Sequence, residues 1–207
     1  MKLLIFDFDG TLFDTSLGLT LAINELLKKQ NKELLTREQV KKSVGGGIEA
    51  TLREIFKEDF QAKLIDEFND IYRNYMFEGL VAYTNVIETL RKIKEELNVK
   101  IAIYSNKSKF FIIEILRRFD IYNLFDEIIT IDDGFKKPDK KPIDYLIEKY
   151  KINREKVYII GDSCYDVESA RISNVKSIFV NWGFGENCNA DFTVNEPSEI
   201  YNIITSV

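Results

Sequence analysis

The amino-acid sequence predicts an α/β fold in which a parallel β-sheet core carries one inserted helical segment. Short apolar runs that fit strands alternate along most of the chain with apolar residues at helical spacing, and such alternation implies parallel pairing with right-handed crossovers. Residues 15–80 are the exception, because they show helical patterns alone. The predicted organisation is therefore an α/β core of residues 1–14 and 81–207, with an α-helical insertion at residues 15–80.

The first strand is predicted at Leu3–Phe6, an apolar run at the start of the chain that Asp7 and Asp9 follow directly. A run of this length, ended by polar residues and glycine, suits a strand buried on both faces. Two carboxylates this close raise each other's cost of ionisation, and a divalent cation removes that cost. This favours a magnesium site at the end of the strand over an acidic N-cap of the next helix.

The remaining elements are predicted from the same two patterns. Helices of the insertion are expected from Ser16 to about Leu27, from Thr36 or Arg37 to Ser43, from Ile48 to Phe56 and from about Asp59 to Tyr75. Later strands are expected at Val99–Tyr104, Glu127–Ile131, Lys156–Ile160, Ser177–Asn181 and Phe192–Val194. Helices between them are marked by apolar residues at Val86–Leu97, Ile112–Phe119, Ile143–Tyr150, Asp166–Ser173 and Ser198–Ile204.

Polar residues follow several of these strands at their carboxyl ends. Asp7 and Asp9 follow the first strand, Ser105 the second and Asp162 the fourth. Open parallel sheets bind ligands beyond the carboxyl ends of their strands, at the switch in strand order. This convergence predicts a single active site.

The residues predicted at this edge are those that phosphoryl transfer needs: a nucleophile, a metal, donors for the phosphoryl oxygens and a proton donor. We expect Asp7 to attack phosphorus and form an aspartyl phosphate, and Asp9 to serve as the acid and base. Ser105 offers a hydroxyl, and a lysine of the Lys136-Lys137-Pro138 loop offers positive charge. Asp162 adds a metal ligand.

Four motifs in this order resemble those of the haloacid dehalogenase-like superfamily and its phosphatases. They are Asp7-Phe8-Asp9-Gly10-Thr11, Ser105-Asn106, Lys137-Pro138 and Gly161-Asp162-Ser163-Cys164-Tyr165-Asp166. The resemblance spans the whole chain and implies a Rossmann-like, doubly wound core with an α-helical cap at residues 15–80. It implies Mg²⁺ as cofactor, held by the Asp7 side chain, the Asp9 backbone carbonyl and Asp162, with Asp166 in or near the shell. The candidate phosphate-binding residues are Gly10, Thr11, Ser105, Asn106 and Lys137.

The layout is most similar to the phosphoglycolate phosphatase-like subgroup, and it implies hydrolysis of a small phosphomonoester such as a phosphoglycolate-like compound, a sugar phosphate or a nucleotide. A sugar-phosphate mutase resembling beta-phosphoglucomutase is the alternative within the superfamily. A signalling receiver domain or a non-catalytic protein of this fold is the alternative from another class. Dehalogenase members lack the second aspartate, which is present here as Asp9.

The composition removes several other classes of function. The formal net charge is −5, and no basic stripe indicates nucleic-acid binding. The absence of histidine excludes Ser-His-Asp and Cys-His catalysis. Two cysteines are too few for a disulfide framework, and no apolar run approaches a membrane span. We therefore expect a soluble, reduced, cytoplasmic monomer or homodimer whose partner is a small phosphorylated metabolite.

Two loops have open interpretations. Gly45, Gly46 and Gly47 either bring the backbone of the insertion close to the substrate or form a plain turn between short helices. The Trp182–Gly185 segment, which follows the fifth strand, either helps to close the site or forms a surface loop.

Overall fold

A computed structural model describes residues 1–186 and 188–206 of the chain. The strands are β1 (Lys2–Phe6), β2 (Phe13–Asp14), β3 (Val81–Ala82), β4 (Val99–Ser105), β5 (Glu127–Thr130), β6 (Val157–Gly161), β7 (Lys176–Val180) and β8 (Phe192–Val194). The helices are α1 (Ser16–Lys29), α2 (Arg37–Ser43), α3 (Ile48–Phe56), α4 (Lys63–Tyr75), α5 (Val86–Glu96), α6 (Lys109–Arg118), α7 (Lys141–Tyr150), α8 (Cys164–Ile172) and α9 (Pro197–Ser206). These elements confirm the predicted α/β fold.

The main sheet has the strand order β5-β4-β1-β6-β7-β8, and every pair of neighbours is parallel. From β1 the chain builds outward through β4 and β5, and it then crosses to the other side of β1 for β6, β7 and β8. The switch in strand order therefore lies at β1. Phe6 pairs with Ile103 of β4 and with Ile160 of β6, so the segments that follow these three strands emerge side by side.

Alternate residues of the central strands pack on opposite faces of the sheet. On β1, Leu4 and Phe6 belong to the larger apolar cluster, which includes Leu90 of α5. Leu3 and Ile5 face the second cluster, which includes Ile143 of α7. Both faces are covered, which explains why the central strands appear in the sequence as mainly apolar runs without alternation.

The helical segment leaves and rejoins the core through a two-stranded ribbon. β2 pairs with β3 in antiparallel fashion, with Phe13 opposite Ala82 and Asp14 opposite Val81. The sequence did not indicate these strands, because two residues are too few to show an alternating pattern. The helices α1 to α4 follow the predicted helical pattern, and the division into core and cap at residues 15–80 stays a prediction.

The starts of α4 and α8 differ from the expected ones for local structural reasons. α4 begins at Lys63 and not near Asp59, because a 3₁₀ turn at Lys57–Asp59 intervenes and Lys57 has a left-handed φ of 50°. α8 begins at Cys164, two residues before the predicted start. The N–H of Ser163 donates to the Asp166 carboxylate, and the N–H of Asp166 donates to the carbonyl of Ser163, so this turn fixes the start of the helix.

Cys164 and Cys188 are joined by a disulfide. This bond connects the first turn of α8 to the loop that follows β7, across a sequence separation of 24 residues. The expectation of reduced cysteines is wrong for this structure, because two cysteines in a sequence carry no information about their distance in the fold. Among the described residues, no helix combines the length and the apolar character that crossing a membrane requires.

Candidate active site

Lys137 lies between two buried carboxylates at the carboxyl edge of the sheet. Its Nζ donates to Oδ1 of Asp7 at 2.7 Å and to Oδ1 of Asp166 at 2.6 Å. Burial alone would lower the pKa of Lys137, but the charges of Asp166 and Asp7 outweigh it and raise the pKa above the ordinary value. The ammonium is therefore held charged. The other lysines between residues 136 and 141 are exposed, so Lys137 is the lysine of this loop that enters the site.

Asp162 follows β6 and is enclosed by the loops that follow β1 and β7. Its Oδ1 accepts a hydrogen bond from Thr11 Oγ1 at 3.0 Å, and its Oδ2 accepts one from the N–H of Phe184 at 2.7 Å. A Cβ on Gly10 would lie 2.2 Å from Asp162 Oδ2, and Gly10 has a φ of +81°, so this position requires glycine. Burial, together with the charges of Asp7 and Asp166, raises the pKa of Asp162 to about 7.

The carboxylates of Asp7, Asp162 and Asp166 form a buried acidic cluster. Each offers one oxygen, and these oxygens lie within 4.8 Å of one another. Ser163 donates to Oδ2 of Asp166 from its N–H at 3.1 Å and from its hydroxyl at 2.5 Å. Carboxylate oxygens are the ligands that hard divalent cations prefer. The donor set therefore fits a divalent cation, and the predicted proximity of Asp7 to Asp162 is observed.

Asp9 is fixed by a threonine and by a lysine that the sequence analysis did not single out. Thr15 Oγ1 donates to Asp9 Oδ1 at 2.6 Å, and Lys107 Nζ lies 3.0 and 3.2 Å from the two carboxylate oxygens. Lys107 Nζ also donates to the hydroxyl of Tyr72 on α4 at 3.2 Å. Burial opposes the charged form, but Asp9 and Tyr72 outweigh it and raise the pKa of Lys107. A lysine directly after Ser105-Asn106 was the available sequence signal.

Asn106 connects the turn after β4 to two other loops. Its Nδ2 donates to the carbonyl of Gly45 at 3.0 Å, and its Oδ1 accepts from the N–H of Lys137 at 2.7 Å. A Cβ on Gly47 would lie 2.9 Å from the carbonyl oxygen of Asn106. The glycine loop is thus packed against the core and is more than a plain turn. The Asn106 side chain positions both loops, and a phosphate contact from its backbone stays a prediction.

The predicted phosphate-binding hydroxyls have different surroundings. Ser105 lines the cavity beside Asp7, as the sequence suggests. Thr11 instead directs its hydroxyl at Asp162 and is 1% exposed. It orients a carboxylate, which differs from the phosphate contact predicted for it.

A cavity of about 190 Å³ opens above these residues, between the sheet edge and the helical segment. Its floor is formed by the acidic side chains and by Ser105. Its walls are mainly apolar side chains of the helices: Leu19, Ile23, Ile65, Phe68 and Phe111. Phe184 and Gly185, which follow β7, also line it, so this loop contributes to the site and is not only a surface loop.

The profile of the haloacid dehalogenase-like hydrolases matches residues 4–180. The chain belongs to this family. A phosphoglycolate phosphatase of Aquifex aeolicus is 30% identical over 99% of this chain and 97% of its own. One from Colwellia psychrerythraea is 32% identical, and the match covers 91% of this chain and 88% of the relative.

Solved structures of similar proteins agree with this family. A predicted phosphoglycolate phosphatase from Haemophilus somnus superposes with a TM-score of 0.86 at 25% identity, covering 98% of this chain and 97% of its own. A predicted phosphatase from Clostridium acetobutylicum superposes with a TM-score of 0.84 at 26% identity, covering 100% and 99%. The Rossmann-like core expected from the resemblance is therefore confirmed.

These relatives also confirm the expected subgroup of the haloacid dehalogenase-like family. The chain is an enzyme, a phosphoric monoester hydrolase of the phosphoglycolate phosphatase-like kind. The roles assigned to individual site residues stay predictions, although the structure brings Asp7, Asp9, Ser105, Lys137 and Asp162 to one sheet edge, with Asp166 beside them.

Proposed function

We propose that the protein is a magnesium-dependent phosphatase that hydrolyses a small phosphomonoester through an aspartyl phosphate on Asp7. The proposal rests above all on the charge of the buried acidic cluster. Three carboxylates lie within 4.8 Å of one another, and Lys137 is the ammonium that contacts two of them. With all three ionised, two negative charges remain, and one divalent cation balances them.

The residues that would hold Mg²⁺ are Asp7, Asp162 and Asp166, with the backbone carbonyl of Asp9. When bound, the ion supplies positive charge that attracts phosphoryl oxygens and offsets repulsion between them and the carboxylates. Lys137 supplies a second positive charge next to Asp7. Its two ion pairs fix the ammonium without help from the substrate, so little reorganisation is needed when charge develops in the reaction.

Asp7 is the nucleophile in this proposal. Its Oδ1 accepts from Lys137, whereas its Oδ2 accepts no hydrogen bond from the described part of the chain. A carboxylate oxygen attacks phosphorus, the bond from phosphorus to the leaving oxygen breaks, and Asp9 gives that oxygen a proton. Water then attacks the aspartyl phosphate, Asp9 takes its proton, and inorganic phosphate leaves. In this proposal the hydroxyl of Ser105, which lines the cavity, donates to a phosphoryl oxygen.

The size of the cavity supports a small metabolite as the substrate. A volume of about 190 Å³ beneath the helical segment admits a phosphoryl group together with a small organic substituent. Relatives called phosphoglycolate phosphatases make a phosphoglycolate-like compound the first candidate, ahead of sugar phosphates and nucleotides. We further propose that residues 15–80 act as a cap that excludes water, and that the enzyme is cytoplasmic and monomeric or homodimeric.

The test is phosphate release from a panel of phosphorylated metabolites, with Mg²⁺ and with a chelator. We expect release only with Mg²⁺, and we expect Asp7→Asn to abolish it because an amide is not a competent nucleophile. Asp120→Asn is the matched control, since this aspartate is exposed and has a left-handed φ of 52°, which asparagine also tolerates. Equal turnover by wild type and Asp7→Asn would contradict the proposal. Phosphate transfer within one sugar, with little free phosphate, would instead indicate a mutase.

A further inference from the structure

Lys107 is the one cation among the described residues that line the cavity. It belongs to the turn between β4 and α6, and its side chain is 5% exposed. The acids at the cavity rim already have partners: Glu49 pairs with Arg53, and Asp132 accepts from Ser108. The positive charge of Lys107 therefore lies inside the cavity, where Asp9 is its paired carboxylate.

Tyr72 provides a second polar group next to this charge. Its hydroxyl accepts a hydrogen bond from Lys107 Nζ, and an ammonium group has no lone pair with which to accept one in return. Among the described residues, the hydroxyl hydrogen of Tyr72 has no acceptor, although the residue is 1% exposed and lines the cavity. A buried donor without an acceptor is costly, and an anion in the cavity would satisfy it.

The position of Lys107 relative to Asp9 defines where that anion would lie. Asp9 is the proposed donor to the leaving oxygen, and Lys107 contacts both oxygens of the same carboxylate. An anionic group bonded directly to the leaving oxygen, or separated from it by one carbon, would therefore lie near Lys107 and Tyr72. A longer substituent would place its charge among the apolar side chains of the wall.

We propose that Lys107 and Tyr72 are specificity-determining residues that bind a second anionic group of the substrate, attached close to the scissile bond. This inference rests on the proposed phosphatase function and names the substrate class more narrowly. A carboxylate on a two-carbon alcohol and the second phosphate of a pyrophosphate share this chemistry. Lys107 comes from the core and Tyr72 from α4 of the helical segment, and the two are in direct contact, so the anion would bind where these two parts of the chain meet.

The test compares kcat/KM for 2-phosphoglycolate, inorganic pyrophosphate and 2-hydroxyethyl phosphate, whose leaving group is neutral. Wild type, Lys107→Met, Tyr72→Phe and Lys109→Met are measured with saturating Mg²⁺. Lys109 is a matched control because it pairs with Asp133 outside the cavity. We expect wild type to prefer at least one anionic substrate, and the two anionic arms show whether carboxylate or phosphate is the better ligand.

The ratio of kcat/KM for 2-phosphoglycolate to that for 2-hydroxyethyl phosphate is the decisive readout, because both leaving groups are alkyl alcohols and a general structural defect, or a disturbed Asp9, lowers both values together. We expect Lys107→Met to reduce this ratio roughly tenfold to hundredfold, the range for one charge-assisted hydrogen bond. Tyr72→Phe should reduce it less, mainly through KM, and Lys109→Met should leave it unchanged. If Lys107→Met does not fold, the Tyr72→Phe ratio decides the question.

Two results would overturn the inference alone: a wild type that hydrolyses the neutral and anionic substrates equally well, or equal losses on all three substrates in both cavity variants. The second result would mean that Lys107 and Tyr72 only hold the fold together. A wild type that releases no phosphate from any substrate of this set or of the metabolite panel would overturn the proposed function, and this inference with it.

Discussion

We expect Mg²⁺ binding to weaken as the pH falls from about 7.5 to about 5.5, because a proton on Asp162 competes with the ion. Burial and the neighbouring charges of Asp7 and Asp166 raise the pKa of Asp162 to about 7. The raised pKa means that the folded, metal-free protein holds a proton that an unfolded chain would have lost. In that protein, the free energy of unfolding therefore decreases as the pH rises from about 4 to about 7.

The size of this pH effect follows from one proton, on Asp162, that competes with Mg²⁺. With a pKa of about 7, Asp162 is almost fully protonated near pH 5.5 and mostly ionised near pH 7.5. If the ion binds only the ionised form, the apparent Kd for Mg²⁺ should be about 25-fold higher at the lower pH. Close to one proton should be released for each Mg²⁺ bound near pH 5.5.

Isothermal titration calorimetry measures both quantities. Mg²⁺ is titrated into the protein at several pH values, and each titration is repeated in buffers of different ionisation enthalpy to count released protons. Asp120→Asn, the exposed-site control, should show the same pH dependence as wild type. If the Kd is the same at both pH values and no proton is released, Asp162 does not hold a proton that Mg²⁺ displaces, and the reasoning is refuted.

Three further predictions concern single groups. Asp9→Asn should lose more rate on alkyl phosphates than on aryl phosphates with good leaving groups, because Asp9 is the proposed proton donor to the leaving oxygen. The measurement is the dependence of the rate on the leaving group, which should become steeper. An identical loss on all leaving groups would indicate that another residue is the acid. The disulfide closes a loop of 24 residues, so its reduction should lower the free energy of unfolding by roughly 3 kcal/mol. An unchanged denaturant midpoint after reduction would contradict this. Gly10→Ala should weaken Mg²⁺ binding at least about tenfold, because its Cβ meets the Asp162 carboxylate. Gly134 is the matched control, because it has a similar φ of +83° but a Cβ added there would meet no atom within 4 Å. Calorimetry on Gly134→Ala should therefore show an unchanged affinity for Mg²⁺.

The sequence predicts the strands well for a physical reason. A strand buried on both faces, such as β1 or β6, is a short and mainly apolar run, and its length and the polar or turn residues that bound it distinguish it from a longer buried helix. The polar ends of these strands then have to lie at one edge, because parallel strands point the same way. This explains why Asp7, Ser105 and Asp162 could be assigned to one site before any coordinates were known.

Contacts between the helical segment and the core could not be predicted in this way. Lys107 and Tyr72 are 35 residues apart, and their contact depends on how α4 packs over the turn after β4. No local pattern encodes that packing. The same limit applies to the Cys164–Cys188 bond, and to Thr11, whose hydroxyl direction depends on where Asp162 lies.

The enclosure of Asp162 connects these separate observations. Its carboxylate is held by the loop after β1 through Thr11 and by the loop after β7 through the N–H of Phe184. A Cβ on Gly183 would lie 2.2 Å from the Cβ of Asp162, so this second loop packs directly against the aspartate. The disulfide ties that loop to α8, next to Asp162 in the chain. Burying a carboxylate this completely is unfavourable unless it is protonated or paired with a cation. A fold that fixes it from two loops therefore maintains a site whose most favourable partner is a metal ion.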